Sequence, residues 1–333
     1  MSEPPPTPKR RGRLFRFGAA FLVLLAVTGY LVVQYITAGS SPGCKVVSSE
    51  EDGASYQFTP EQAVNAATIA AVGTGRDMPE RAVAIALATA LQESGLRNIE
   101  HGDRDSLGLF QQRPSQGWGT GKQIMDPTYA AGIFYEHLDK VPGYTKLPLT
   151  VAAQRVQRSG FPEAYAKHEP DATLLAAALT GTAAATLTCD GRPETQLAAT
   201  GPDAVRAALV RDFGRDAFEE AGAEVSGRKP ATPSPSVTAE AHGRTVTVPV
   251  PADDAPTGDT RTKPRTKRTE TERGWQLAHW AVANSSALHI EQVSYAGRQW
   301  AAGSTDSQWR STESTGTKGA EASASAVRIV TGQ

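Results

Sequence analysis

Hydrophobic positions in this chain follow three patterns, and each predicts a different kind of element. The first is an unbroken run. Residues 17–36 carry no charge over 20 positions, enough for a helix to span roughly 30 Å of hydrocarbon. Lys9, Arg10, Arg11, Arg13 and Arg16 precede it, so the positive-inside rule holds residues 1–16 in the cytoplasm and exports the chain beyond residue 36. A cleaved signal peptide is the rival reading. Its apolar part is usually about 7–15 residues, so the longer run favours a single transmembrane helix and a cell-membrane location.

The second pattern is Ala-rich with a helical period. Thr59-Pro60-Glu61-Gln62 supplies a cap, a first-turn proline and a capping box for a helix continuing over residues 63–72. Met78-Pro79-Glu80 opens another. Ala82, Val83, Ile85, Ala86, Leu87, Ala90 and Leu91 make it apolar on most faces, as a core helix is, and Gly95 is its natural stop. Asp126-Pro127 starts a third, with Tyr129, Ile133, Phe134 and Leu138 spaced for packing. Residues 148–156 and 172–182 also predict helices, and 202–221 an amphipathic one through Val205, Leu209, Phe213 and Phe218. Residues 45–190 are therefore expected to form a mainly α domain, with 191–235 a helix and linker.

The third pattern is short and alternating. Residues 245–250 predict a strand, 275–288 a helix, and 290–300 and 326–330 further strands, which makes 236–333 a small α+β domain. Inside it, the polar stretch 252–273 with Lys263, Arg265, Lys267 and Arg268 predicts a disordered loop. A length of 333 residues allows about two domains. The net charge of −1 and the lack of finger, phosphate-loop or dinucleotide motifs give no sign of nucleic-acid binding and call for no cofactor.

Candidate chemistry concentrates in residues 90–119. Glu93 falls in the last turn of the apolar helix, where burial and the negative end of the helix dipole both disfavour the carboxylate. A carboxylic acid still protonated near neutral pH can give its proton to a leaving glycosidic oxygen. The loop after it reads Gly102-Asp103-Arg104-Asp105-Ser106-Leu107-Gly108-Leu109-Phe110-Gln111-Gln112, then Trp118 between two glycines. Amides hydrogen-bond sugars and aromatic faces stack on pyranose rings, so Gln111, Gln112, Trp118 and Tyr165, with Ser94 beside the acid, are candidate substrate-binding residues. Hydrolysis with inversion needs a second carboxylate roughly 6.5–9.5 Å away, and Asp103 and Asp105 are the candidates. Without such a base, attack by a hydroxyl of the sugar itself is the alternative, and the sequence does not separate the two.

The stretch 90–112 resembles the soluble lytic transglycosylase and goose-type lysozyme superfamily, which carries Glu-Ser-Gly followed by Gly-Leu-(Met/Phe)-Gln. It is more similar still to a membrane-anchored actinobacterial group with the Gly-Asp-Arg-Asp run almost unbroken. The resemblance covers roughly residues 59–180 and implies a lysozyme-like fold, with Glu93 as the catalytic acid and Gln111 lining the cleft. It also implies peptidoglycan as the substrate, and cell-wall or division proteins are natural partners. Where the transglycosylases carry Asn-Tyr-Asn-Ala-Gly, this chain reads Ala152-Ala153-Gln154-Arg155-Val156-Gln157-Arg158-Ser159-Gly160. A second resemblance lies in Gly243-Arg244-Thr245-Val246, in 277–284 and in Val327-Arg328-Ile329. These are similar to the hedgehog-type and D-alanyl-D-alanine carboxypeptidase zinc fold. Glu240, Thr247 and Arg328 stand where that family has its ligands, and a cationic Arg opposes a metal. The expectation is a degenerate unit without a metal site and without peptidase activity.

Cys44 and Cys189 are the two cysteines. In an exported protein they are expected to pair and close residues 45–188 into a loop, with two free thiols as the alternative. The leading expectation is a membrane-anchored peptidoglycan glycosidase, lytic or hydrolytic. A glycan-binding or scaffold protein that does not cut is the alternative. A transport role ranks last, because one span without internal charges forms no pathway.

Overall fold

The computed structural model describes residues 27–29, 43–50, 52–159, 162–191, 200–215, 243–250, 268–303, 308–312 and 325–332. The chain divides into two units, Met1–Pro42 and Gly43–Gln333. Of the expected membrane span only residues 27–29 are described, and they are helical; the basic tail lies outside. Among the described residues no helix is long and apolar enough to cross a membrane. The expected linker around 227–235, Phe218 and most of the 252–273 loop also lie outside the described residues.

From residue 43 onward, helices predominate. They are α1 (Pro60–Gly75), α2 (Glu80–Ser94), α3 (Gly121–Ile124), α4 (Pro127–Asp139), α5 (Leu149–Gln157), α6 (Glu169–Thr180), α7 (Pro202–Phe213), α8 (Glu270–Ala283) and α9 (Ser285–Leu288). Their starts follow the local chemistry. Thr59 and Gln62 form both bonds of a capping box at α1, and the Asp126 carboxylate accepts from Thr128 N–H at α4. At α2, Gly95 takes the left-handed conformation and ends the helix as expected. All ten residues from Ala82 to Leu91 are buried, so α2 is the central helix, packed on α1, α4, α5 and α6. Alanine at every second position from 82 to 90 lets those neighbours approach from all sides. On α4 the expected packing face is only partly right. Phe134 and Leu138 are buried, Tyr129 and Ile133 only partly, and Tyr135 is buried with its hydroxyl 3.0 Å from Ile69 O.

Two antiparallel sheets complete the unit. The first, not expected from sequence, has the order β2-β1-β3, with β1 Cys44–Val47, β2 Ser55–Phe58 and β3 Leu187–Cys189. Cys44 and Cys189 are direct cross-strand partners and form a disulfide. The second sheet has the order β4-β8-β5-β6-β7, with β4 Thr245–Pro249, β5 Ile290–Tyr295, β6 Arg298–Ala301, β7 Arg310–Ser311 and β8 Ala326–Thr331. The sequence predicts one strand over 290–300. The structure breaks it at Ala296-Gly297, both at positive φ, which makes a tight two-residue hairpin turn. Residues 270–273, expected in the loop, form the first turn of α8 behind a Thr269–Glu272 capping box.

Helix α8 joins this second sheet to the helical body, packing on α1, α6 and β3 as well as on β5. Its polar side chains are paired across that junction. The Trp280 indole donates to Asp212 Oδ2 at 2.8 Å, and Asp212, fully buried, also accepts from Thr68 and pairs with Arg211. From β6, Trp300 donates to Cys189 O, and Trp309, just before β7, donates to Leu187 O. His279 lies on α8 with no exposed surface. Its Nδ1 is 2.7 Å from Ala178 O and its Nε2 accepts from Thr186 N–H at 3.2 Å. One N–H donated and one lone pair occupied fix a neutral imidazole, and burial pulls its pKa down to about 4.

Candidate functional site

Glu93, the penultimate residue of α2, sits half-buried at the edge of an open cleft of about 780 Å³. Burial raises its carboxyl pKa, and hydrogen bonds from Tyr165 and Gln157 oppose that rise. The Tyr165 hydroxyl donates to Glu93 Oε1 at 2.7 Å. Tyr165 itself is fully buried in the 3₁₀ segment Pro162–His168, and burial together with the Glu93 charge pushes its phenol pKa up. The sequence predicts a substrate contact at this tyrosine. Its position instead makes it the group that holds the acid.

The motif 102–112 folds into a tight turn closed by a bridge between Leu107 and Gln112. Leu109 and Phe110 drive it into the core, and Phe110 stacks on Phe134 with centroids 4.7 Å apart. Gln111 takes a positive φ of 47°, so the two adjacent amides part company. Gln111 lines the cleft, while Gln112 is 2 % exposed and donates to Ala130 O. Gln111 also folds over Gly102, where any Cβ would collide with its side chain.

Ser94 and Gln112 are thus corrected from substrate contacts to supports. The Ser94 hydroxyl donates to Leu109 O at 2.8 Å, which ties the end of α2 to the motif turn. The two candidate second carboxylates also separate. Asp105 accepts from Ser115 N–H at 2.9 Å and from Arg113 Nε at 2.7 Å. Ser115 first, and Arg113 after it, hold its carboxyl well below the usual carboxylate range. It clasps its own loop. Asp103 lines the cleft with its side chain 93 % exposed, and so it is the candidate that faces the same space as Glu93. Trp118 is half-buried at the cleft wall, edge-on to His137 with centroids 4.3 Å apart.

One wall is absent from the sequence-based picture. Lys140, Arg155, Gln157 and Arg158, from the ends of α4 and α5, line the cleft. The Gln157 amide donates to Phe110 O at 2.8 Å and Gln154 to Ser159 O at 2.7 Å, so α5 anchors both the motif turn and its own exit. The signal for this wall lies in the segment that departs from the transglycosylase pattern. There Gln154 and Gln157 are three apart on one stripe of the helix, Arg155 lies on the adjoining stripe and Arg158 is the left-handed cap that follows.

In the C-terminal segment, Thr247 and Arg328 are cross-strand partners on β4 and β8, with Arg328 exposed. Glu240 and His242 lie outside the described residues. Among the described residues no group of three His, Cys, Asp or Glu side chains is placed to hold a metal.

Residues 210–322 match the family model described as VldE, C-terminal domain. The match takes in the end of α7, then β4 and α8 through β7, and leaves Glu93 and its cleft outside. It covers about a third of the chain. No curated protein matches the sequence.

Proposed function

We propose that this protein is a membrane-anchored, extracytoplasmic peptidoglycan glycosidase that cuts the MurNAc–GlcNAc strand with Glu93 as general acid. The observation that carries the proposal is a half-buried carboxyl of raised pKa at the edge of a polar cleft that also presents an amide and an indole. The resemblance of residues 59–180 to the lytic transglycosylases supports the same assignment.

Tyr165 holds Oε1, which orients the carboxyl as its proton passes to the leaving oxygen. As that proton passes to the glycosidic oxygen, negative charge grows on the carboxyl, and the Tyr165 and Gln157 hydrogen bonds strengthen to meet it. The bond to the anomeric carbon then breaks. Two routes complete the reaction: a water that gives its proton to Asp103, or the muramic acid 6-hydroxyl, which gives its proton to the Glu93 carboxylate and closes a 1,6-anhydro ring.

The test is digestion of purified sacculi by the detergent-solubilised full chain, with mass spectrometry of the new ends. Anhydro ends mean the lytic route and reducing ends mean hydrolysis. Binding without any new ends would replace the enzyme with a glycan-holding scaffold.

A further inference from the structure

The cleft wall that faces Trp118 is built from cations. Lys140 caps α4, and Arg155 and Arg158 stand three residues apart at the end of α5. All three line the same cleft as Glu93 and all are exposed. The charges converge on one point. Burial first, and then Lys140 and Arg158, lower the pKa of His137, against the opposing pull of Glu136. His137 in turn packs against the Trp118 ring. Indole, imidazole and the two cations therefore form one continuous surface, with Arg155 beside it.

Nearby acids do not neutralise this surface. Among the described residues, none of the three cations has an ion pair. Glu136 is taken by Arg76 at 3.2 Å, Asp105 by Arg113 and Asp103, in the same cleft, by Arg104 at 3.9 Å. Chain direction reinforces the arrangement, since Arg158 holds a positive φ of 52° and turns the backbone out of α5 at the cleft edge. Unpaired guanidinium and ammonium groups beside an aromatic platform suit a sugar that carries an oxyanion.

We infer that Lys140, Arg155 and Arg158 form an anion subsite that reads a carboxylate or phosphate substituent on the glycan strand. The inference rests on the glycan reading of the cleft and narrows it to charged, substituted strands over bare ones. Two sources supply such a group: the carboxylates of peptide stems, and the phosphodiesters of anionic polymers attached to the sugar.

The experiment measures binding, so that it does not depend on cleavage. Full-length protein carrying Glu93→Gln is compared with the same protein carrying Lys140→Gln, Arg155→Gln and Arg158→Gln as well. Three soluble strand preparations are used: native, freed of phosphodiester polymer by hydrofluoric acid, and freed of peptide by an amidase with the lactyl carboxylate so exposed capped as its methylamide. The triple substitution is expected to weaken binding of native strands roughly tenfold. The loss should be several times larger than on the preparation that lacks the recognised anion. Which treatment abolishes the difference identifies peptide carboxylate or phosphodiester. An equal loss on all three preparations, or none on any, overturns the subsite. Lys140 and Arg158 also offset the negative ends of their helices. Arg155→Glu therefore repeats the test with a single exposed change, and it should weaken native-strand binding further in low salt. Full cleavage by Glu93→Gln would remove the acid while leaving this anion subsite standing.

Discussion

Helices α2 and α8 are both buried along ten consecutive residues, Ala82–Leu91 and Gly274–Ala283, yet they use burial in opposite ways. In α2 the interior is alanine and aliphatic side chains apart from Thr89, whose hydroxyl donates to Ile85 O, and its one ionisable group beyond the first turn sits at the end, where the helix meets the cleft. In α8 the ionisable group is in the middle, and His279 has both ring nitrogens bonded and no exposed surface. A buried polar group with every partner supplied is a rivet. A half-buried one that opens onto a cleft is free for chemistry. Substitutions at Glu93 should therefore move activity and leave stability, and substitutions at His279 the reverse.

Glu93→Gln gives the largest effect. Cleavage should fall roughly 10²- to 10⁴-fold, while the melting temperature at pH 7 stays level, because the neutral amide keeps the shape of the carboxylic acid that burial favours. Activity within threefold of wild type with unchanged circular dichroism would refute the assignment. Next comes the covalent link. Replacing Cys44 and Cys189 by serine opens a loop of sequence separation 145 and should cost about 4 kcal/mol, measured by denaturant titration of the oxidised proteins.

His279 predicts a pH slope. Its folded pKa of about 4 lies below the ordinary histidine value of 6.5, so the unfolded chain binds the extra proton in that interval. Its contribution is complete above pH 6.5 and is lost as the pH falls toward 4, by about 3 kcal/mol. His279→Leu should flatten that part of the stability profile, at a cost of about 2–4 kcal/mol at pH 7 from the stranded Ala178 carbonyl and Thr186 N–H. An unchanged profile would mean that the imidazole is not buried neutral.

Tyr165→Phe sharpens the α2 side of the comparison. The Tyr165 bond lowers the Glu93 pKa, so its loss should move the basic limb of the pH–activity curve upward and reduce kcat several-fold, with KM little changed. A fall in kcat with no movement of the limb would make Tyr165 a packing residue only. The smallest effect is expected at Thr269→Ala, which removes the cap of α8 at about 1 kcal/mol and should leave glycan cleavage untouched.

Helix starts are legible because their chemistry is local: a cap, a proline and an amide within four residues at Thr59, and Asp126 before Pro127. The same device at Thr269 is hidden by the basic residues in front of it. The first sheet is not legible. Its strands are three or four residues long, and the pairing of Cys44 with Cys189 joins positions that no local pattern relates. In the site, residue type is readable and direction is not. Glu93, Asp103, Gln111 and Trp118 face the cleft, whereas Ser94, Gln112 and Tyr165 turn inward, Gln112 because its neighbour adopts a left-handed backbone. The cationic wall comes from α4 and α5 and exists only once those helices converge.

The Cys44–Cys189 bond also bears on mechanics. It sits at the point where the chain enters the helical body and the point where β3 leaves it. Tension applied between the amino-terminal side of Cys44 and the carboxyl-terminal side of Cys189 therefore crosses a single sulfur–sulfur bond instead of the intervening backbone. The backbone of the closed loop that carries Glu93, its phenol partner and the cleft is thereby bypassed, and pulling reaches it only through the non-covalent contacts that α7 and α8 make with α1 and α6.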